Sequence, residues 1–197
     1  MGILLRPLAT PDIQATAALT RAAYLAPPPD HPARRWVAGQ DAGAYQALLA
    51  GDWAEDLALG AEAECRVLLA VEGDRVLGQA EVRLSAWDGK VTLQGVAADP
   101  ARWRQGIGRA LVEGASAAAS AAGYGELGLM ADPQDVAFFQ RCGFRPTGPC
   151  GSTDRPMVGM LRVFDPASEA ASLEARQKVL AEANAAADHL RRTLDLT

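Results

Sequence analysis

"DPARWRQGIGRALVEGA", Asp99 to Ala115, decides how this chain is read. Gly106 and Gly108 stand one residue apart among Arg102, Arg104 and Arg109, and no acid follows Asp99 until Glu113. An apolar run, VTLQGVAA (Val91–Ala98), leads in, and a helical pattern leads out as far as Gly123, a suitable C-cap. A strand, a glycine loop and a helix in that order suit an anion. The first-turn amides of a helix lack intrahelical partners, and the dipole adds positive potential there. A glycine lets a ligand approach the backbone. The same residues also fit a plain turn before a helix. Two other phosphate motifs are excluded. The P-loop pattern G-x-x-x-x-G-K-[ST] is absent. Leu111 stands where a dinucleotide fingerprint needs Gly or Ala, and the strand before the loop closes a meander instead of opening a βαβ unit.

Upstream of the loop, Ile3–Leu8 predicts a strand. Thr10, Pro11 and Asp12 then predict a helix start, with Thr10 as N-cap. Four prolines make Ala26–Arg35 a loop. Asp41–Leu59 reads as a helix with a break near Gly51. Glu64–Gly73, Arg75–Leu84 and Val91–Ala98 predict three hairpin strands, with turns at EGDR and Asp88-Gly89. Downstream come a strand (GELGLMA), a helix (PQDVAFFQRCG), a short strand (FRPTG) and a strand over Met157–Phe164. From Ser168 to Leu196 one alanine-rich helix carries Leu173, Leu180, Ala183, Ala187, Leu190 and Leu194 as a stripe. That stripe must pack on the domain or on another subunit. Hairpins first and crossovers later predict a mixed sheet with helices on its faces.

The chain has 197 residues and a net charge of −5, which argues against a nucleic-acid or anionic-membrane partner. The three cysteines, Cys65, Cys142 and Cys150, form no C-x-x-C pair, so neither a disulfide scaffold nor a zinc site is expected, and no metal. Arg6 comes too early for the apolar core of a secretory signal. No apolar run approaches the roughly 20 residues of a membrane helix. The expectation is a cytoplasmic protein.

Taken together, the order of elements resembles the GNAT superfamily of acyl-CoA-dependent N-acyltransferases. The resemblance covers about Ile3 to Phe164. It rests on GVAADPARWRQGIGRALVEGA, similar to the family's strand and pyrophosphate loop, and on DPQDVAFFQRCGFRPTG, similar to its N…A..FY…GF segment. LLRPLATPDIQATAAL resembles its first strand and helix. The resemblance implies an α/β (α+β) fold over residues 1–166, a mixed, mostly antiparallel sheet flanked by helices, with an added C-terminal amphipathic helix over 167–197. It implies acetyl-CoA as cofactor. In the family the fourth and fifth strands splay and the pantetheine lies between them, which assigns it here to the edge at Val96, Ala97 and Ala98. A backbone N–H there polarises the thioester carbonyl. The pyrophosphate falls to the N–H groups from Gln105 through Gly106, Ile107 and Gly108 to Arg109, and Trp103 and Arg104 are assigned to the cofactor beside them. Phe139 is assigned to the cofactor as well.

Several positions depart from the family. Trp103 replaces a Gln or Arg, and Arg104 a common glycine. Thr92 stands where many members carry a glutamate base, Phe139 where many carry a tyrosine acid, and Asp132 where Asn is common. Two carboxylates are the substitute bases: Glu81 on the neighbouring strand, whose plain reading is a solvated strand residue, and Asp132, whose plain reading is a helix N-cap. Tyr24 and His31 are expected to line the acceptor site, and the segment from Pro27 to Leu59 to form much of its wall. Asp30, Asp41, Asp52, Glu55 and Asp56 could draw a cationic amine to that wall, against Arg34 and Arg35. The function implied is acetyl transfer to a primary amine of a small molecule or protein, by direct attack in a ternary complex. The alternative is an inactive acyl-CoA-binding module. A further partner is a second copy, as a homodimer through the C-terminal helix.

Overall fold

Arg6 and Asp12 make the first corner of the chain. In a computed structural model describing residues 2–60, 63–84, 90–151 and 155–193, with no side chain described at 33, 42 and 187–193, they form a bidentate pair at 2.6 and 2.8 Å. Asp12 also accepts the Ala9 N–H at 3.1 Å. The expected Thr10 cap is therefore not used: a 3-10 turn, Thr10–Asp12, comes first, and a carboxylate that can accept from two sources at once takes the capping role.

Two compact units divide the chain, Met1–Tyr124 and Gly125–Thr197. The first holds β1 (Leu4–Pro7), α1 (Ile13–Leu25), α2 (Pro32–Ala38), α3 (Ala42–Leu59), β2 (Cys65–Glu72), β3 (Arg75–Leu84), β4 (Val91–Ala98) and α4 (Ile107–Ala121). Its strands pair antiparallel in chain order. The EGDR turn joins β2 to β3 with Glu72 opposite Arg75, whereas the Asp88-Gly89 turn lies outside the described residues.

Two expectations fail here. The proline-rich loop ends early, because Pro32 starts α2 and the His31 carbonyl accepts the Arg35 N–H at 3.0 Å. Proline fits that first helical position, where its missing N–H costs nothing. Gly51 makes no break in α3, which is capped by Asp41 Oδ1 on the Ala44 N–H at 2.7 Å. One glycine costs about 1 kcal/mol in a helix, less than the burial of Tyr45, Ala50 and Trp53 on that helix returns.

Register puts α1 and α4 on opposite faces of this sheet. A methyl group built on Gly78 would lie 2.9 Å from Leu111 and 3.1 Å from Ile107, both on α4. One built on Gly95 would lie 2.9 Å from Tyr24 Oη on α1. Gly78 pairs with Ala98 and Glu81 with Gly95, and residues three apart in β3 point to opposite faces. On the α1 and α3 side, Ile13, Ala17, Trp53, Val67, Leu69 and Val71 form the core. On the other side α4 buries Ile107, Leu111, Val112, Ala115 and Ala119.

The second unit holds β5 (Glu126–Ala131), α5 (Val136–Arg141), β6 (Arg145–Gly151), β7 (Pro156–Val163) and α6 (Glu169–Thr193). Both β5 and β6 pair antiparallel with β7. The α6 stripe packs within the chain. Leu180 Cδ1 sits 3.1 Å from where a Gly159 methyl would be, Arg176 pairs with Glu126 at 2.9 Å, and Asn184 donates to the Pro149 carbonyl at 3.0 Å. Arg145 pairs with Glu169. Ala183, expected in the stripe, is exposed, and Asn184 is half-buried in its place. The side chains of Ala187, Leu190 and Leu194 lie outside those described. The three cysteines are thiols, with Cys65 and Cys142 buried and Cys150 half-buried.

The Arg6 hydrogen bond, opposed by burial and aided by the Ala9 N–H, holds the Asp12 carboxyl below its usual range. A depressed carboxylate stabilises above its unfolded pKa, and that contribution is lost as pH falls through the folded value. Asp12→Asn should therefore lower unfolding stability by about 1 kcal/mol at pH 7. In urea titrations the gap from the unsubstituted protein should narrow as pH falls and close below the depressed Asp12 pKa.

Candidate active site

The glycine loop is built from both of its ends. Asp99 closes β4, its Oδ1 accepting the Ala101 N–H at 3.0 Å and its Oδ2 meeting Arg75 at 2.6 Å. Trp103 Nε1 donates to the Ala98 carbonyl at 2.9 Å, which ties the loop to the strand end and leaves the ring 43% exposed. Arg104 has φ +63°, the left-handed region that non-glycine residues rarely enter. That explains why the family commonly places glycine there. Gly106 caps α4 at φ +86°, with nothing within 4 Å of where its methyl would be. The α4 ladder begins with the Ala110 N–H on the Gly106 carbonyl at 2.9 Å. The amides of Ile107, Gly108 and Arg109 come before that first bond.

The three arginines divide. Arg102 is engaged, donating to Gln105 Oε1 at 2.7 Å and pairing with Glu72 at 3.4 Å. Arg104 and Arg109 are exposed. Gln105 is exposed, its side chain held by Arg102. Ile107 is buried under the loop and anchors the first turn of α4. First-turn amides ahead of the helical ladder, an open glycine and two exposed cations fit a phosphorylated ligand.

Beside the loop, β4 carries Val96, Ala97 and Ala98 opposite Ala80, Gln79 and Gly78. A β-bulge interrupts this register between Glu81 and Val82, where Glu81 faces Gly95, Val82 faces Leu93 and Gln94 is the extra residue. Gln94 Nε2 donates to Thr92 Oγ1 at 2.8 Å, so the threonine at the expected base position is an acceptor within its own strand.

Glu81 is half-buried on the α1 and α3 face. It accepts the Trp53 indole N–H at 3.4 Å and is hydrogen-bonded to the Cys65 thiol. Burial, then the nearby Glu81 and Asp56 charges, push that thiol well up, so it stays protonated at neutral pH and acts as the donor. Tyr24, late in α1, places its hydroxyl over Gly95 near Gln79 Nε2. Gln79 is 1% exposed, and its Oε1 has no hydrogen-bond partner among the described residues. His31 is buried at the start of α2.

Two candidates lie in the second unit. Asp132 follows β5 and is 6% exposed; its Oδ2 faces Arg155 at 3.6 Å, and its Oδ1 has no partner among the described residues. Phe139, on α5, stacks edge-on with Phe138 at 5.0 Å and Phe144 at 5.9 Å, and its ring has no proton to give.

Sequence reading missed Trp53, Cys65, Gln79, Gly95 and Arg155. One signal was present: Gln79, Glu81 and Arg83 alternate along an otherwise apolar strand, marking one polar stripe. That α1 and α3 would cover this stripe is a tertiary fact with no local signature. A groove of ≈ 620 Å³ between α1 and α3, lined by Thr10, Gln14, Gly43 and Ala50 among others, contains none of these candidates.

The sequence profile of the acetyltransferase (GNAT) family matches residues 27–144, and the chain belongs to that family. No protein of curated function matches the sequence. Among solved structures, the fold is similar to PaiA N-acetyltransferase from Thermoplasma acidophilum in complex with coenzyme A, at 19% identity and TM-score 0.65, covering 83% of this chain and 100% of that one. It is also similar to yncA from Salmonella typhimurium with its cofactor acetyl-CoA, at 20% identity and TM-score 0.60, covering 84% and 95%. A third is described as histone acetyltransferase HPA2 and related acetyltransferase, from Corynebacterium glutamicum, at 20% identity and TM-score 0.61, covering 84% and 99%. At these identities the likeness shows the fold.

Gly95 has no room for a methyl group beneath the Tyr24 hydroxyl. Gly95→Ala should lower stability by about 1–3 kcal/mol. Adding Tyr24→Phe, which removes the clashing oxygen, should recover much of that loss. Strict additivity in thermal unfolding would contradict the contact.

Proposed function

We propose that this protein is an acetyl-CoA-dependent N-acetyltransferase that modifies a primary amine of a small molecule or protein in a ternary complex. The observation that carries this reading is the glycine loop: an open, left-handed entrance to α4 fixed to the end of β4, in a chain of the GNAT family. Coenzyme A-bound relatives of the same fold support acetyl-CoA as the acyl donor. Bound there, it supplies a thioester carbonyl activated for attack.

The chain's own residues then have distinct roles. The amides of Gly106 through Arg109 receive the pyrophosphate at the positive end of α4. Arg104 and Arg109 add screened positive charge, and Trp103 and Gln105 shape the rim. Val96, Ala97 and Ala98 offer a strand edge with small side chains for the pantetheine amides. Phe139 contributes an apolar wall. Tyr24 and His31 line the acceptor side. Glu81 and Asp132 are the carboxylates able to take an amine proton. Among the described residues no helix is long and apolar enough to cross a membrane, which is compatible with the proposed cytoplasmic location. A homodimer would use the outward face of α6, where Val179 is 52% exposed.

Thr92 and Phe139, lacking the family's acid–base pair, favour a second reading as an acyl-CoA-binding module without turnover. Titration calorimetry with coenzyme A decides the first half. Free-thiol release from acetyl-CoA decides the second, across polyamines, aminoglycosides, amino acids and peptides. Binding with amine-dependent thiol release is expected; binding without release across the panel supports the module, and no binding contradicts both. Arg104→Gly is a sharper probe. Relief of left-handed strain should raise stability by about 1 kcal/mol, while the lost charge should weaken coenzyme A binding about tenfold.

A further inference from the structure

We infer that Glu81 is the proton acceptor of the transfer reaction, and that Trp53 and Cys65 are positioning residues that hold its carboxylate in place. The inference rests on the transferase reading and names the group that replaces the base absent at Thr92.

Three strands of geometry meet at Glu81. It lies opposite Gly95, at the bulge where β4 leaves regular pairing with β3. Bulges re-aim side chains and interrupt pairing, which frees backbone groups for other partners. Its carboxylate has two donors from different elements, the indole N–H of α3 at 3.4 Å and the thiol of β2. It remains half-buried instead of sealed, so a solute can reach it. Cys65 is 4% and Trp53 2% exposed, so each is held by packing and neither donor can turn away to water. Asp56 from α3 and Arg83 from β3 act on the adjoining Cys65 thiol, and the Tyr24 hydroxyl of α1 lies over Gly95, the residue opposite Glu81.

The proton balance needs nothing further. Glu81 takes one proton from the acceptor ammonium. The neutral nitrogen then bonds to the acetyl carbon as the carbon–sulfur bond breaks. The sulfur leaves as the thiol with the nitrogen's second proton, and Glu81 returns its proton to water. No acid is required where Phe139 stands.

The test uses the full chain with Glu81→Gln, Cys65→Ala and Cys65→Ser. For the most rapidly acetylated amine of the panel, E81Q should lower kcat about 100-fold or more while acetyl-CoA binding stays within about twofold. In C65A a carboxylate that has lost a partner is aimed less well, so kcat should fall about tenfold while the acceptor KM stays within about twofold. C65S, which restores a donor, should recover kcat. Independently of any acceptor, the Trp53 indole proton resonance followed by NMR should move in E81Q, which alters its acceptor, and in C65A. Full turnover by E81Q, or a Trp53 indole resonance indifferent to E81Q, would overturn the inference. So would bound acetyl-CoA with no turnover on any amine, since Glu81 would then have no proton to take. Failure of the unsubstituted protein to bind acetyl-CoA overturns the transferase reading instead.

Discussion

The seating of α4 on β3 is the constraint on which the first unit depends. At Gly78 a methyl would lie 2.6 Å from the Ala97 carbonyl and 2.9 Å from Leu111, so the helix can sit this low only over a residue without a side chain. Leu111 and Val112 are fully buried as a result. That depth fixes where α4 begins. Its first-turn amides are held beside the end of β4, and the Trp103 bond to Ala98 secures the short stretch between them. A generic dipole effect thereby becomes a defined position.

The opposite face of the same strands follows a different rule. There α1 and α3 cover a polar stripe, and Gln79 and Glu81 are drawn under helices instead of into water. Burying such groups is costly unless they find donors. Glu81 finds two and sits at the bulge. Gln79 Oε1, like Thr16 and Thr20 Oγ1 on α1, finds none among the described residues. Polar groups placed at a cost that packing does not need call for a reason other than stability, and the proposed base lies on this face.

Much of this could be read from the chain, for identifiable reasons. The loop at Gly106, the meander and the helical run ending at Gly123 have periods and glycines that declare themselves locally, and they agree with the GNAT family. What stayed hidden was partnership. Nothing near Trp53 or Cys65 in the sequence points at Glu81, because 28 residues separate the indole from the carboxylate. Local cues also misled where a competing effect was stronger: Thr10 lost the cap to Asp12, which Arg6 holds in place, and Gly51 lost to the burial of Trp53.

The left-handed Arg104 links both themes, since its backbone obeys the family's geometry while its side chain departs from it. The central claim is that the α4 entrance, fixed to β4, is a coenzyme A cradle. Its most direct measurement is an amide NMR titration of the full chain with coenzyme A. The account predicts the largest shifts at Gly106, Ile107, Gly108 and Arg109, with Val96 to Ala98 following. Saturable binding that leaves those amides unmoved would contradict it.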